Sequence, residues 1–266
     1  MKRETRDATR SRNVGKKVGC GLVGCGGGVL GVFAFVGVIL YLTLFSNTCA
    51  KMMGEETYPI AGKARSFDPI SEIENIRSKI GAKAVLTEMD ASSVRSDGTM
   101  DLMAQYKPAP TATYRFQLPL DTAPEGQVAP PVGAGRGPDD VWVQDITVRV
   151  YEPGMRRHVT RTSGGSRSSY SYTNEGIDVE RSTPRMTKIG EGISEVKVDA
   201  KEMWEFALKL GAPKDAVASI DIEADEYTFG ITGTKIHLRW DADGKLMDLF
   251  LTKEQRETLG LPEVGR

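Results

Sequence analysis

The chain has few of the residues that usually carry chemistry. Of its 266 residues, three are cysteine and two are histidine, and aromatic residues make up 7%. Cys20, Cys25 and Cys49 all lie in the first fifty positions, so the 217 residues after Cys49 contain no cysteine. A disulfide-stapled framework is thereby excluded for that part, which must be held together by its own apolar core. Two histidines without nearby cysteines make a zinc site of the usual composition improbable on spacing alone, and neither His158 nor His237 sits in a pattern that supplies a base with its orienting partner. The sequence has no Gly-x-Ser-x-Gly elbow, no phosphate-cradling glycine loop followed by Lys and Ser or Thr, and no His-Glu-x-x-His pair. Asp241-x-Asp243-Gly244 has the start of a calcium loop but lacks its third carboxylate and distant glutamate, and is expected to be a hairpin turn. No catalytic residue, cofactor or metal is expected, and the chain is not expected to be an enzyme.

Charge is scarce in one place only. Lys and Arg total 35 against 36 Asp and Glu, yet residues 18–50 carry none of them. Residues 1–17 have a net charge of +5 and residues 51–266 a net charge of −6. An acidic main body with a short basic tail excludes a nucleic-acid-binding reading. The uncharged stretch contains a nearly continuous apolar run from Val29 to Phe45. Residues 25–45 in a helix would span ~31 Å, close to the thickness of a bilayer core. The basic residues Lys2, Arg3, Arg6, Arg10, Arg12, Lys16 and Lys17 precede it, which puts the N-terminus in the cytoplasm and residues 46–266 outside. A cleaved signal peptide is the alternative, but its apolar region is 7–15 residues, shorter than the run here. Leu22-Val23-Gly24-Cys25 has the form of a lipobox on the wrong side of the apolar region. Gly24 with Gly28, and Gly27 with Gly31, are spaced for close helix packing, a candidate homodimer face within the membrane.

The exported part opens with a stalk, residues 46–67. Asp68 as cap, Pro69 at the first turn, the stripe Ile70, Ile73, Ile76 and Ile80, and the stop at Gly81 predict a helix over 69–80. Strands are expected near 84–89, 100–106 and 113–118, completing a first helix-plus-sheet unit over 68–118. Nine of the twenty residues 119–138 are Pro or Gly, and residues 119–140 read as a loop. A β-rich middle segment, 141–198, follows. The second unit, 199–266, begins with Asp199 and Glu202 as a capping box and ends its helix at Gly211; strands are expected near 218–224, 227–231, 235–240 and 246–251, and a short helix from Thr252. Lys79-Ile80-Gly81-Ala82 matches Lys209-Leu210-Gly211-Ala212, which favours an internal duplication. The expected fold class is α+β: one transmembrane helix, then an exported domain of two similar helix-plus-antiparallel-sheet units.

This order of helix then meander, the closing hairpin Trp240-Asp241-Ala242-Asp243-Gly244-Lys245-Leu246 and the export signal resemble PepSY-like and beta-lactamase-inhibitor-protein-like domains over residues 68–118 and 199–251. The resemblance implies a non-catalytic binding or inhibitory module of the cell envelope and carries no site residue with it.

Two charged features remain. Asp221, Glu223 and Asp225 alternate with Ile220, Ile222 and Ala224, and would pair across strands with Lys235, His237 and Arg239 if their strand neighbours Lys235–Arg239. Arg149, Arg156, Arg157, Arg161 and Arg167, opposed only by Glu152, give a net +4 over residues 149–167, with Tyr170 and Tyr172 close behind. Arginines beside tyrosines suit an anionic glycan, headgroup or acidic protein; the alternative is a solvated hairpin whose arginines pair with neighbouring acids. The functional expectation is a membrane-anchored extracytoplasmic binding or accessory protein, with a subunit assembled through the glycine-rich helix as the alternative.

Overall fold

The structure, a computed structural model, describes residues 56–60, 62–133, 136–163, 166–247 and 250–261, within a compact unit of residues 45–266. The expected membrane span 18–45, with Gly24, Gly27, Gly28 and Gly31, lies outside the described residues. No helix among those described is long and apolar enough to cross a membrane.

The fold is mixed α/β and mostly sheet. Strands run at Glu56–Pro59 (β1), Val85–Val94 (β2), Ala112–Leu120 (β3), Val141–Val150 (β4), Arg156–Ser163 (β5), Ser166–Thr173 (β6), Gly176–Arg181 (β7), Arg185–Thr187 (β8), Ala218–Glu223 (β9), Glu226–Ile231 (β10) and His237–Asp241 (β11). Helices occupy Ile73–Ile80 (α1), Ala200–Lys209 (α2) and Lys253–Leu259 (α3). Nine strands form one antiparallel sheet in the order β1-β7-β4-β3-β2-β9-β10-β11, with β8 beside β4, while β5 and β6 pair with each other.

Strand alternation decides which face is dry. In β9, Ala218, Ile220 and Ile222 are buried while Ser219, Asp221 and Glu223 point the other way. The same alternation in β2, β3, β4, β7, β10 and β11 builds one apolar face, covered by α1 and α2. Ile73, Ile76 and Ile80 of α1 and Met203, Trp204 and Ala207 of α2 are buried in that shared core. Trp204 meets Phe229 edge-on at 5.4 Å, and Phe229 and Phe206 both meet Trp240 edge-on at 6.5 and 6.0 Å.

The caps act as their residue types dictate. Asp199 accepts the backbone N–H of Glu202, and Thr252 with Gln255 forms a full capping box. Asp68 instead accepts from Ile70 and Ser71 at 3.0 and 3.1 Å, closing a turn that Tyr114 holds by donating to the Pro69 carbonyl at 2.7 Å. The first helix therefore starts at Ile73 rather than Pro69.

Several other expectations change. Residues 100–106 are not a strand: Met100 makes single bridges to Phe67 and Val94, and the chain then leaves the sheet. The described residues of 246–251 are not in a strand either; Leu246 bridges Trp240, and the Trp240–Leu246 hairpin closes through Asp241, which accepts from Asp243 and Lys245. Pro119 is inside β3, tolerated because β2 pairs only as far as Gln117 and leaves the sheet open on that side. Part of the expected stalk is folded: β1 pairs with β7, and Phe67 is buried. The middle segment is not separate, since β4, β7 and β8 belong to the large sheet. The two helix-and-meander segments share that sheet because β2 pairs with β9.

Candidate functional site

The hairpin β5–β6 is set apart by its local sequence. Glu152-Pro153-Gly154 turns the chain out of β4, with Gly154 at φ +84°, and Gly154 and Asn174 close the root through backbone bonds to Asn174 and Met155 at 3.0 and 3.1 Å. From there the strands pair in register from Arg156 opposite Thr173 to Ser163 opposite Ser166.

That register divides the seven expected patch residues. Because side chains alternate, Arg157, Tyr170 and Tyr172 share one face of the hairpin and Arg156 and Arg167 the other. Arg156 and Arg167 are exposed; Arg161 occupies its strand position opposite Ser168. Arg149 belongs to the large sheet, where it donates to Glu180 at 2.8 Å. Tyr172 is buried rather than displayed, and its hydroxyl donates to Asp178 at 2.6 Å. Arg157 lies over the Tyr151 ring at 4.7 Å with its Nε 4.0 Å from the same Asp178. Tyr172 is thus corrected from a contact residue to an anchor, and the patch separates into a group with acid or ring partners, Arg149, Arg157 and Tyr172, and the remaining hairpin residues, Arg156, Arg161, Arg167 and Tyr170. Asp178, which joins the hairpin to β7, had no signal in the sequence beyond its place among alternating apolar residues.

The sheet face away from α1 and α2 holds the second polar cluster. β9 is flanked by β2 and β10, so Asp221 lies opposite Asp90 and Glu223 opposite Glu88. The expected pairing of Asp221, Glu223 and Asp225 with Lys235, His237 and Arg239 does not form in this arrangement; Arg239 donates to Glu226 at 3.1 Å instead. Carboxylate oxygens of Glu88, Asp90 and Asp221 lie within 4.8 Å of one another, close enough to share a cation. Arg115 stands among them, bound to Glu88 and 3.9 Å from Asp90.

Burial first and the Glu223 charge second raise the pKa of Asp90; burial first and then Asp90 raise that of Asp221, against the opposing pull of Arg115. A carboxyl whose folded pKa exceeds its unfolded value binds more protons when folded, so its contribution to stability falls as pH rises through that window. Asp221→Asn is therefore expected to stabilise the protein at pH 7 by about 0.2–1 kcal/mol, the scale of a like-charge cross-strand pair. The gain should shrink as pH falls into the carboxylate range and as salt is added. Thermal melts of both proteins across pH check this, and a gain that grows on acidification would refute it.

His158 Nδ1 lies 3.0 Å from Ser171 Oγ on the exposed hairpin, and His237 is exposed on β11 beside Gly230. No protein-family model matches the chain, and no curated protein or solved structure is significantly similar to it.

Proposed function

We propose that the chain is a single-pass membrane protein whose exported part is a non-enzymatic binding or accessory module of the cell envelope. Its contact surface is the solvent-facing side of hairpin β5–β6 that carries Arg156 and Arg167, and its partner is an anionic envelope component. The observation that carries this reading is a hairpin paired only with itself among the described strands, which presents Arg156 and Arg167 to solvent on a body that is otherwise acidic.

The exported domain is built from two similar units, in keeping with PepSY-like and inhibitor-like domains. α1 followed by β2, β3 and β4 has the same order as α2 followed by β9, β10 and β11. Each first strand lies innermost, and the two meanders run outward in opposite directions. The spacing of Gly24, Gly28, Gly27 and Gly31 favours a second reading, a subunit paired through its membrane helix.

The test uses the full-length chain in micelles with neutral headgroups, applied to an immobilised sulfated glycan and to phosphatidylglycerol vesicles over a salt series. Replacing Arg156, Arg161 and Arg167 with Ser should weaken a salt-sensitive interaction roughly tenfold or more at low salt. Equal retention of the variant and the parent would refute the hairpin as the contact surface.

A further inference from the structure

The root of the hairpin encloses a cleft of about 290 Å³, at the low end of the size range for small-molecule sites. One wall is the loop from Leu102 to Thr111; the other is the end of β4 and the start of β5. The loop wall is fixed in place. Ser93 donates to the Pro108 carbonyl at 2.7 Å and Ser92 to the Ala109 carbonyl at 2.9 Å, both from a bulge in β2. Ser93 holds a left-handed backbone, φ +60°, to make its bond. Such strain in a residue without glycine's freedom persists only where the surroundings enforce it, and it recurs at ligand clamps.

The lining has two chemistries side by side. Leu102, Tyr106 and Met155 supply an apolar wall, and Tyr106 and Met155 remain 36% and 44% exposed. Arg149 and Arg157 supply two cations against one lining acid, Glu152. Each guanidinium meets its structural acid, Glu180 or Asp178, through one edge, and neither acid lines the cleft. Five N–H donors on a planar fork allow a second anion to be held at the other edge. Tyr151 also lines the cleft, with the Arg157 guanidinium over its ring. It is 6% exposed, and its hydroxyl is buried without a hydrogen-bond partner among the described residues. A buried hydroxyl normally has a partner, and one without it beside a cleft points to a partner that arrives with a ligand.

We infer that this cleft binds a small amphipathic organic anion, with a carboxylate or phosphate head on Arg149 and Arg157 and an apolar body against Tyr106 and Met155. The inference goes beyond the proposed contact surface, since it uses Arg149 and Arg157 at the root of the hairpin and none of Arg156, Arg161 and Arg167.

The test titrates 2-naphthoate, with neutral 2-naphthamide as control, into the full-length chain in phosphatidylcholine nanodiscs, with empty nanodiscs as the blank. Saturable binding of the anion is expected, with the amide at least about tenfold weaker, the scale of one charge-assisted hydrogen bond. Ala109→Trp, which places an indole in the cleft from an exposed position, should weaken binding by a similar factor, as should Arg157→Gln. Tyr151→Phe separates ligand from structure: it should raise the melting temperature of the free protein, by removing an unpaired buried hydroxyl, and weaken naphthoate binding. Replacing Arg156, Arg161 and Arg167 with Ser should leave naphthoate affinity unchanged even where glycan retention is lost, so the two proposals fail separately. Phosphatidylglycerol in the nanodisc that competes with naphthoate would assign the head to a lipid; unchanged affinity would assign it to a soluble anion, and both support the cleft. Equal affinity for acid and amide, indifference to Ala109→Trp, or no saturable binding would overturn it.

Discussion

Trp204→Ala is expected to cost about 3–5 kcal/mol and to lower the melting temperature by roughly 10 °C, the largest effect of any single substitution considered for this protein. The physical reason is the position of α2. A ten-residue helix is marginal in isolation, so its stability comes from the face it buries. Trp204 is fully buried on that face and packs edge-on against Phe229, which in turn contacts Trp240 across β10 and β11. Truncation to alanine leaves a cavity bounded by sheet on one side and helix on the other, and neither can collapse without breaking strand register. Trp204→Phe should cost distinctly less. It keeps a ring in the site and also removes an indole N–H that has no hydrogen-bond partner among the described residues. Circular-dichroism melts of the two variants check both statements. A loss below about 1 kcal/mol for the alanine variant would be incompatible with a core residue and would refute the packing.

Asp178→Ala is expected to release the hairpin while leaving the large sheet folded. The carboxylate of Asp178 accepts from the Tyr172 hydroxyl at 2.6 Å and faces Arg157 Nε at 4.0 Å. Removing it takes a 2.6 Å acceptor from the hydroxyl of a side chain that is 3% exposed and takes away the acid beside Arg157. The cost should be about 1–3 kcal/mol, the usual penalty for a buried polar group left without its partner. Because β5 and β6 pair with no other described strand, much of that loss should appear locally. Limited proteolysis should cut between Arg156 and Tyr170 in the variant well before the parent is cut, and amide exchange should accelerate in β5 and β6 with β2 and β9 unchanged. Asp178→Asn retains an acceptor and should fall between the two. Uniform acceleration of exchange through the whole sheet would contradict the anchoring role.

Apart from the start of α1, the helix ends and most strands were legible because their signals lie within a few residues of one another. Asp199 with Glu202, Thr252 with Gln255, and the alternation Ala218-Ser219-Ile220-Asp221-Ile222 all act over a single turn or a single pleat. The misplaced strands were the ones with no such signal. Met100 makes only isolated bridges to Phe67 and Val94, and Leu246 meets β11 through one bridge to Trp240. Arg149, Arg157 and Tyr172 were found as types but not as an arrangement: the register of β5 with β6 put them with Asp178 and Tyr151, and turned Arg156 and Arg167 to the other face.

By itself, then, the sequence determined the division of charge along the chain, a body after residue 50 that has no cysteine and needs its own core, two amphipathic helices and a set of short alternating strands. Each follows from interactions between near neighbours. Only the tertiary structure decided that β2 pairs with β9, which merges both helix-and-meander segments into one sheet and sets Asp90 against Asp221. It alone brought the loop before Thr111 against Tyr151 and Arg157 to form the cleft. Strand pairing between distant segments depends on the summed burial of whole faces, and a one-residue change of register would reverse every side chain in it, so no local pattern of residues encodes its outcome.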